Sequence, residues 1–84
     1  MANYSLLIKP SAVKELEVLP PKDRRKIVTR IEGLASDPRP HGCEKLSGLE
    51  QYRIRQGDYR VVYSVAEAKV VLIVKVGHRR DVYR

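Results

Sequence analysis

The chain ends in Val76-Gly77-His78-Arg79-Arg80-Asp81-Val82-Tyr83-Arg84, where an apolar run gives way to an imidazole, three guanidiniums and a phenol. Each of these types has a distinct chemistry. Arginine keeps its proton, with a pKa above about 12, so it is a poor base and a good clamp for phosphate. Histidine titrates near neutrality and suits general acid–base work. A phenol, with a reference pKa of ~10, becomes a base when surrounding cations lower that value. Two further stretches carry arginine, the first at alternating positions and the second once. One is Gln51-Tyr52-Arg53-Ile54-Arg55-Gln56, and the other is Asp58-Tyr59-Arg60-Val61-Val62-Tyr63. No pair of carboxylates or histidines stands ready for proton transfer. His41 has no evident partner, and Cys43 lacks a neighbouring His or Asp to activate it.

Positioning these groups falls to strands, in which alternate side chains share a face. Residues 49–56 and 59–66 read as two strands around a Gly57-Asp58 turn. Residues 68–76 read as a third, the most apolar and so the most central. Parity places Tyr52 and Ile54 on one face, with Tyr59, Val61, Tyr63 and Val65. In the third strand Val70, Leu72, Val74 and Val76 form an apolar face. Arg53, Arg55, Arg60, Lys75 and Arg79 then project together from the other side, and His78 lies opposite Arg79. Five cations on one face of a small sheet repel one another unless a polyanion lies across them. The ordinary alternative is a charged, solvated strand surface that resists aggregation; it suffices for any one of these residues but not for the group.

Residues 3–9 read as a short first strand. Residues 12–19 follow as a helix with Ser11 as its cap, ended by Pro20 and Pro21. From Lys22 to Ser36, Ile27, Val28, Ile31, Leu34 and Ala35 mark one face of a second helix, with Pro21 suited to its first turn. Its other face carries Lys22, Arg24, Arg25, Lys26 and Arg30, a rival basic patch that reads first as a solvated helix surface. Residues 37–48, rich in Pro and Gly, read as a loop. The order β-α-α-β-β-β predicts a single α+β domain over residues 1–84, with a helical hairpin packed on one face of a mostly antiparallel four-stranded sheet.

The chain has 84 residues and a formal charge of +7, which favours a polyanionic or acidic partner. A single cysteine excludes an internal disulfide and a zinc site of its own, and fits a reducing, cytoplasmic setting. No apolar run approaches the ~20 residues of a membrane span, and no export signal is evident. No metal or other cofactor is expected, and the five tyrosines are the only aromatics. Tyr4, Tyr52, Tyr59 and Tyr63 read as sheet-packing residues.

The stretch Lys45–Val65 (KLSGLEQYRIRQGDYRVVYSV) followed by Lys69–Arg84 (KVVLIVKVGHRRDVYR) closely resembles the RelE family of bacterial and archaeal toxins. The resemblance covers the whole chain and favours the RelE branch over the ParE branch of that superfamily. It implies an mRNA interferase that enters the ribosomal A site, cuts mRNA there without metal, and is held inactive by a RelB-like antitoxin in a hetero-oligomeric complex. The family's functional positions fall on Arg53 and Arg55 in the second strand, on Arg60, on Arg79 after the terminal Val-Gly-basic segment, and on Tyr83. Its well-studied type has lysines where this chain has Arg53 and Arg55, and a lysine at His78.

Such cleavage needs a base for the 2′-hydroxyl proton, positive charge for the phosphorane and an acid for the 5′-oxygen. Arg60 and Arg79 fit charge stabilisation, and Arg53, Arg55, Lys75 and Arg80 fit contacts to the RNA backbone. Tyr83 and His78 remain as the candidate bases, with Tyr83 favoured; its ring also suits stacking on a base. Two alternatives stand beside this reading: a ParE-like toxin that binds gyrase and cuts nothing, and an inactive binding module.

Overall fold

Two prolines set the helices. Pro10 and Pro21 each occupy the first turn, where a missing N–H leaves no hydrogen bond unmade. In the computed structural model, which describes residues 3–46 and 50–82, strand β1 spans Ser5–Ile8, helix α1 Pro10–Glu17 and helix α2 Pro21–Gly33. Helix α1 therefore begins before Ser11, with Lys9 at its cap. It stops short of Leu19 because residues ahead of Pro20 and Pro21 are pushed out of the helical region. Beyond Gly33 the chain tightens into i→i−3 bonds, from the amides of Leu34, Ala35 and Ser36, which explains why the apolar period ran on to Ser36.

The sheet is completed by β2 (Glu44–Lys45), β3 (Gln51–Gln56), β4 (Tyr59–Ala66) and β5 (Val70–His78). It has five strands in the order β1-β5-β4-β3-β2, with β1 parallel to β5 and every other pair antiparallel. The strand missing from the expected four is β2, two residues inside the stretch read as loop. The apolar β5 is interior, between β1 and β4, and β4 takes the middle place.

One expectation about faces is corrected. Val62 pairs with Lys75 but Tyr63 pairs with Ile73, so Val74 is an extra, unmatched residue on β5. This bulge shifts the parity along the strand. Val76 lies in the core as expected, but Val71 and Ile73 turn inward in place of Val70, Leu72 and Val74. A strand apolar on both faces carries no alternation from which the bulge could be read. The helices bring Ala12, Leu16, Ile27 and Ile31 onto Tyr52, Ile54, Val61, Tyr63, Val65, Val71, Ile73 and Val76, and so cover one side of the sheet.

The loop after α2 is fastened to that core. The Tyr63 hydroxyl donates to Pro38 O at 2.7 Å. Its ring stacks on Tyr52 with centroids 5.8 Å apart, and Arg39 Nε donates to Tyr52 Oη at 3.0 Å. Burial pushes the Tyr63 phenol well above its ordinary value. The unfolded phenol ionises from pH ~10 while the folded one keeps its proton, so this contribution to stability is whole below that pH and is lost as pH rises. Denaturant titrations from pH 8 to 11 should show stability falling more steeply above pH ~10 in the wild type than in Tyr63→Phe. At neutral pH the variant should be about 1–3 kcal/mol less stable, with the Pro38 carbonyl left unpaired. Equal slopes would count against the assignment.

Candidate nucleic-acid interface

The basic groups gather where β3 turns into β4. Gly57 adopts φ +59°, a left-handed conformation that suits glycine in a two-residue hairpin turn. The turn brings Arg55 directly opposite Arg60, both on the sheet face that the helices leave uncovered. Like charges in that position are destabilising in the absence of a bound anion. Arg60 is held in place, with Nη1 donating to Gly57 O at 3.1 Å and to Tyr59 O at 3.0 Å.

On its other side Arg60 pairs with Gly77 of β5. A Cβ built at Gly77 would lie 3.2 Å from Val82 Cγ2. The bare glycine therefore lets Val82, only 8% exposed, lie close over the sheet on Arg60's face. A C-terminal turn makes this approach, with the amides of Asp81 and Val82 donating to His78 O at 2.8 and 3.1 Å. Arg79 is tied to the same corner: its amide donates to Asp58 O at 2.7 Å, and its Nε stands 3.9 Å from Asp58 Oδ1. Arg55, Arg60 and Arg79 thus surround one end of the hairpin.

The remaining expected residues divide. Arg53 Nη2 meets Glu44 Oε2 at 2.7 Å, and Arg55 Nη2 lies 3.6 Å from Glu44 Oε1. Lys75 departs from the expected open-face group. Beyond Ile73 the β5 edge has no strand beside it, and Glu15 of α1 fills the gap, accepting from Val76 N at 3.0 Å and from Lys75 Nζ at 3.3 Å. His78 pairs with Tyr59 on the helix side of the sheet, opposite the arginines, with its ring edge-on to Tyr59 at 5.8 Å. It borders a 330 Å³ cleft with Asp23, Lys26, Gln56 and Asp58. The Arg80 amide donates to His78 Nδ1 at 3.2 Å. The Arg80 side chain is solvent-exposed. Tyr83 lies outside the described residues.

The rival patch on α2 is partly structural: Arg30 Nη1 reaches Arg55 O at 3.1 Å, and Arg24 Nη1 reaches Glu17 O at 3.2 Å. Lys22, Arg25 and Lys26 are exposed. Sequence reading missed Glu44 and Asp58, which, among the described residues, are carboxylates in contact with the open-face arginines. The place of Asp58 in the hairpin turn was a usable signal; Glu44 sat in a stretch read as irregular. Among the described residues, no group of three or more His, Cys, Asp or Glu is arranged to hold a metal ion. No described helix is long and apolar enough to cross a membrane.

Comparison with known proteins shows the family to which the fold is related. A family model, the ParE toxin of type II toxin–antitoxin systems, matches residues 6–83. The RelE1 protein of Methanocaldococcus jannaschii is 30% identical over 87 aligned residues, covering 98% of this chain and 97% of the relative. The archaeal RelE–RelB complex from Pyrococcus horikoshii superposes with a TM-score of 0.83 at 35% identity, covering 96% of this chain and 99% of that one. The intact E. coli RelBE toxin–antitoxin complex superposes at 0.78 and 30% identity, covering 89% and 95% respectively.

Proposed function

The chain belongs to the RelE/ParE superfamily of type II toxins, and from that premise we propose that it is an mRNA-cleaving toxin held inactive by a cognate RelB-like antitoxin. The observation that carries this reading is the placement of Arg55 against Arg60, with Arg79 fastened to the adjoining turn, on a face left open by the helices. The antitoxin follows from relatives whose solved structures are RelE–RelB complexes, and it makes a hetero-oligomer in the cytoplasm the resting form.

In the reaction, the 2′-oxygen of one nucleotide attacks the adjacent phosphorus and the P–O5′ bond breaks. The products are a 2′,3′-cyclic phosphate and a free 5′-hydroxyl. Arg60 and Arg79 stabilise the charge that develops on the phosphorane, where fixed donors act most strongly. Arg55 holds the flanking backbone, and Arg53, engaged with Glu44, supports it from beside. Tyr83, as the phenolate, takes the 2′-hydroxyl proton, and the departing 5′-oxygen takes up a proton from solvent water to become the 5′-hydroxyl. His78, on the far side of the sheet with Nδ1 accepting from the Arg80 amide, is poorly disposed as a base and orders the C-terminal turn. Binding in the ribosomal A site would supply substrate orientation that the small open face lacks.

The test is cleavage of ribosome-bound mRNA by the purified, antitoxin-free protein, mapped by primer extension. Tyr83→Phe should lose most of the cleavage rate, and His78→Asn should lose far less. The reverse order would move the base to His78. The matching family model is named for ParE, which favours a second reading: a gyrase-binding toxin without nuclease activity. A supercoiling assay run beside the cleavage assay separates the two.

A further inference from the structure

Glu44 is the one acidic side chain with a described ion pair to Arg53 and Arg55. It bridges them, with Oε2 on Arg53 at 2.7 Å and Oε1 on Arg55 at 3.6 Å. A carboxylate that spans two guanidiniums in this way occupies the position a phosphodiester would take, since both present two oxygens to the same donors. We propose that Glu44 is a built-in phosphate surrogate, which holds the arginine pair in its binding geometry and must be displaced from Arg55 by the nucleic-acid backbone. This rests on the RNA-binding reading of the open face.

The two halves of the bridge differ. The Arg53 side chain is only 17% exposed, sits directly opposite Glu44 across the β2–β3 ladder and makes the short contact. It anchors the carboxylate and is a positioning residue. Arg55 is 61% exposed, lies two residues further along β3 and makes the long contact. Exposed pairs of this kind are weakly held, so Arg55 is the member that turns to a phosphate. The supporting strand is itself slight: β2 is two residues long and pairs only Glu44 with Arg53 and Lys45 with Tyr52. The carboxylate can move without disturbing the core. Its retained charge also offsets one cation of the patch and weakens the hold on any polyanion.

The experiment measures the affinity of the antitoxin-free protein for a short, fluorescently labelled RNA with 2′-O-methyl riboses, which cannot be cleaved, over a range of salt. Glu44→Gln keeps the shape and removes the charge. With one more uncancelled cation facing a phosphate, the slope of log K against log salt should steepen by about 0.7, and binding near 0.05 M salt should tighten about five- to tenfold. Glu50→Gln is the control. Glu50 pairs with Lys45 at 3.4 Å, with no described contact to the arginines; it removes the same charge and should leave the slope unchanged. In an Arg55→Ala background the gain from Glu44→Gln should disappear. A general effect of net charge would appear equally in Glu50→Gln. A merely structural role for Glu44 would weaken binding, or would persist without Arg55. Glu44→Ala, with its melting curve, guards against misreading a folding defect.

Unchanged or weaker binding by Glu44→Gln overturns the proposal, as does failure of both forms to bind the oligonucleotide. If the wild type cleaves mRNA yet Glu44→Gln binds no tighter, the surrogate role alone falls. If Glu44→Gln binds tighter but the wild type cuts no mRNA, the nuclease reading falls and the surrogate role stands.

Discussion

Arg60→Ala is expected to lower the rate of mRNA cleavage by about 10²–10³-fold, the usual loss when one donor to a developing oxyanion is removed. Folding should be little affected. The guanidinium's hydrogen bonds are to Gly57 O and Tyr59 O, beside a solvent-exposed turn, where water can replace it. Removing it also relieves the apposition with Arg55. The melting temperature should therefore stay within a few degrees of wild type, or rise, while activity collapses. Arg60→Lys keeps the charge but loses the planar, two-pronged donor, and should recover only part of the rate. The check is single-turnover cleavage with saturating ribosomes, together with a thermal melt of each variant. A parallel loss of stability and activity would mean that Arg60 is a structural residue.

The largest expected loss of stability lies at Ile73, which is fully buried. It pairs with Ile8 of β1 on one side and with Tyr63 of β4 on the other, and it precedes the unmatched Val74. Ile73→Ala removes apolar volume where three strands meet and should cost about 2–5 kcal/mol. For a domain of this size, whose whole stability is on the order of 4–13 kcal/mol, that is a large share. A loss near 3 kcal/mol corresponds to a fall of roughly 12–24 °C in melting temperature. Val18→Ala is the contrast: Val18 is 82% exposed, and its truncation should change stability by less than about 0.5 kcal/mol. Chemical denaturation of the three proteins decides the matter. A small effect at Ile73 would place the hydrophobic centre elsewhere.

The parts of this architecture that were legible in the sequence are those with an unambiguous period. Tyr52 and Ile54 in β3, and Tyr59, Val61, Tyr63 and Val65 in β4, alternate with polar or charged neighbours at every step but Val62, so their faces and the Gly57-Asp58 turn could be read directly. Arg53, Arg55 and Arg60 fell on the open face for that reason. Strand β5 is apolar on both faces. Nothing in Ala68–Val76 marks the bulge at Val74, and the parity of Val70 to Val74 came out inverted. Lys75 was assigned to the right strand, but its ion pair with Glu15 depends on where α1 passes the exposed edge, a fact of tertiary packing. Strand β2 is too short to carry a period, and with it Glu44 stayed hidden. The Gly77–Val82 approach was likewise unreadable, because it depends on a turn that doubles back after His78. What pattern could not supply was the acidic half of the site, Glu44 and Asp58, which tempers the cationic half.

The most direct test is primer extension on ribosome-bound mRNA treated with equal amounts of wild-type protein and an Arg60→Ala/Arg79→Ala double variant, each freed of antitoxin. The expected result is discrete cuts within the A-site codon for the wild type, with cyclic phosphate on the upstream fragment, and full-length message for a correctly folded double variant. Cuts of equal strength from both proteins would contradict the guanidinium site; intact message from both, alongside inhibited DNA supercoiling by the wild type, would contradict RNA cleavage itself.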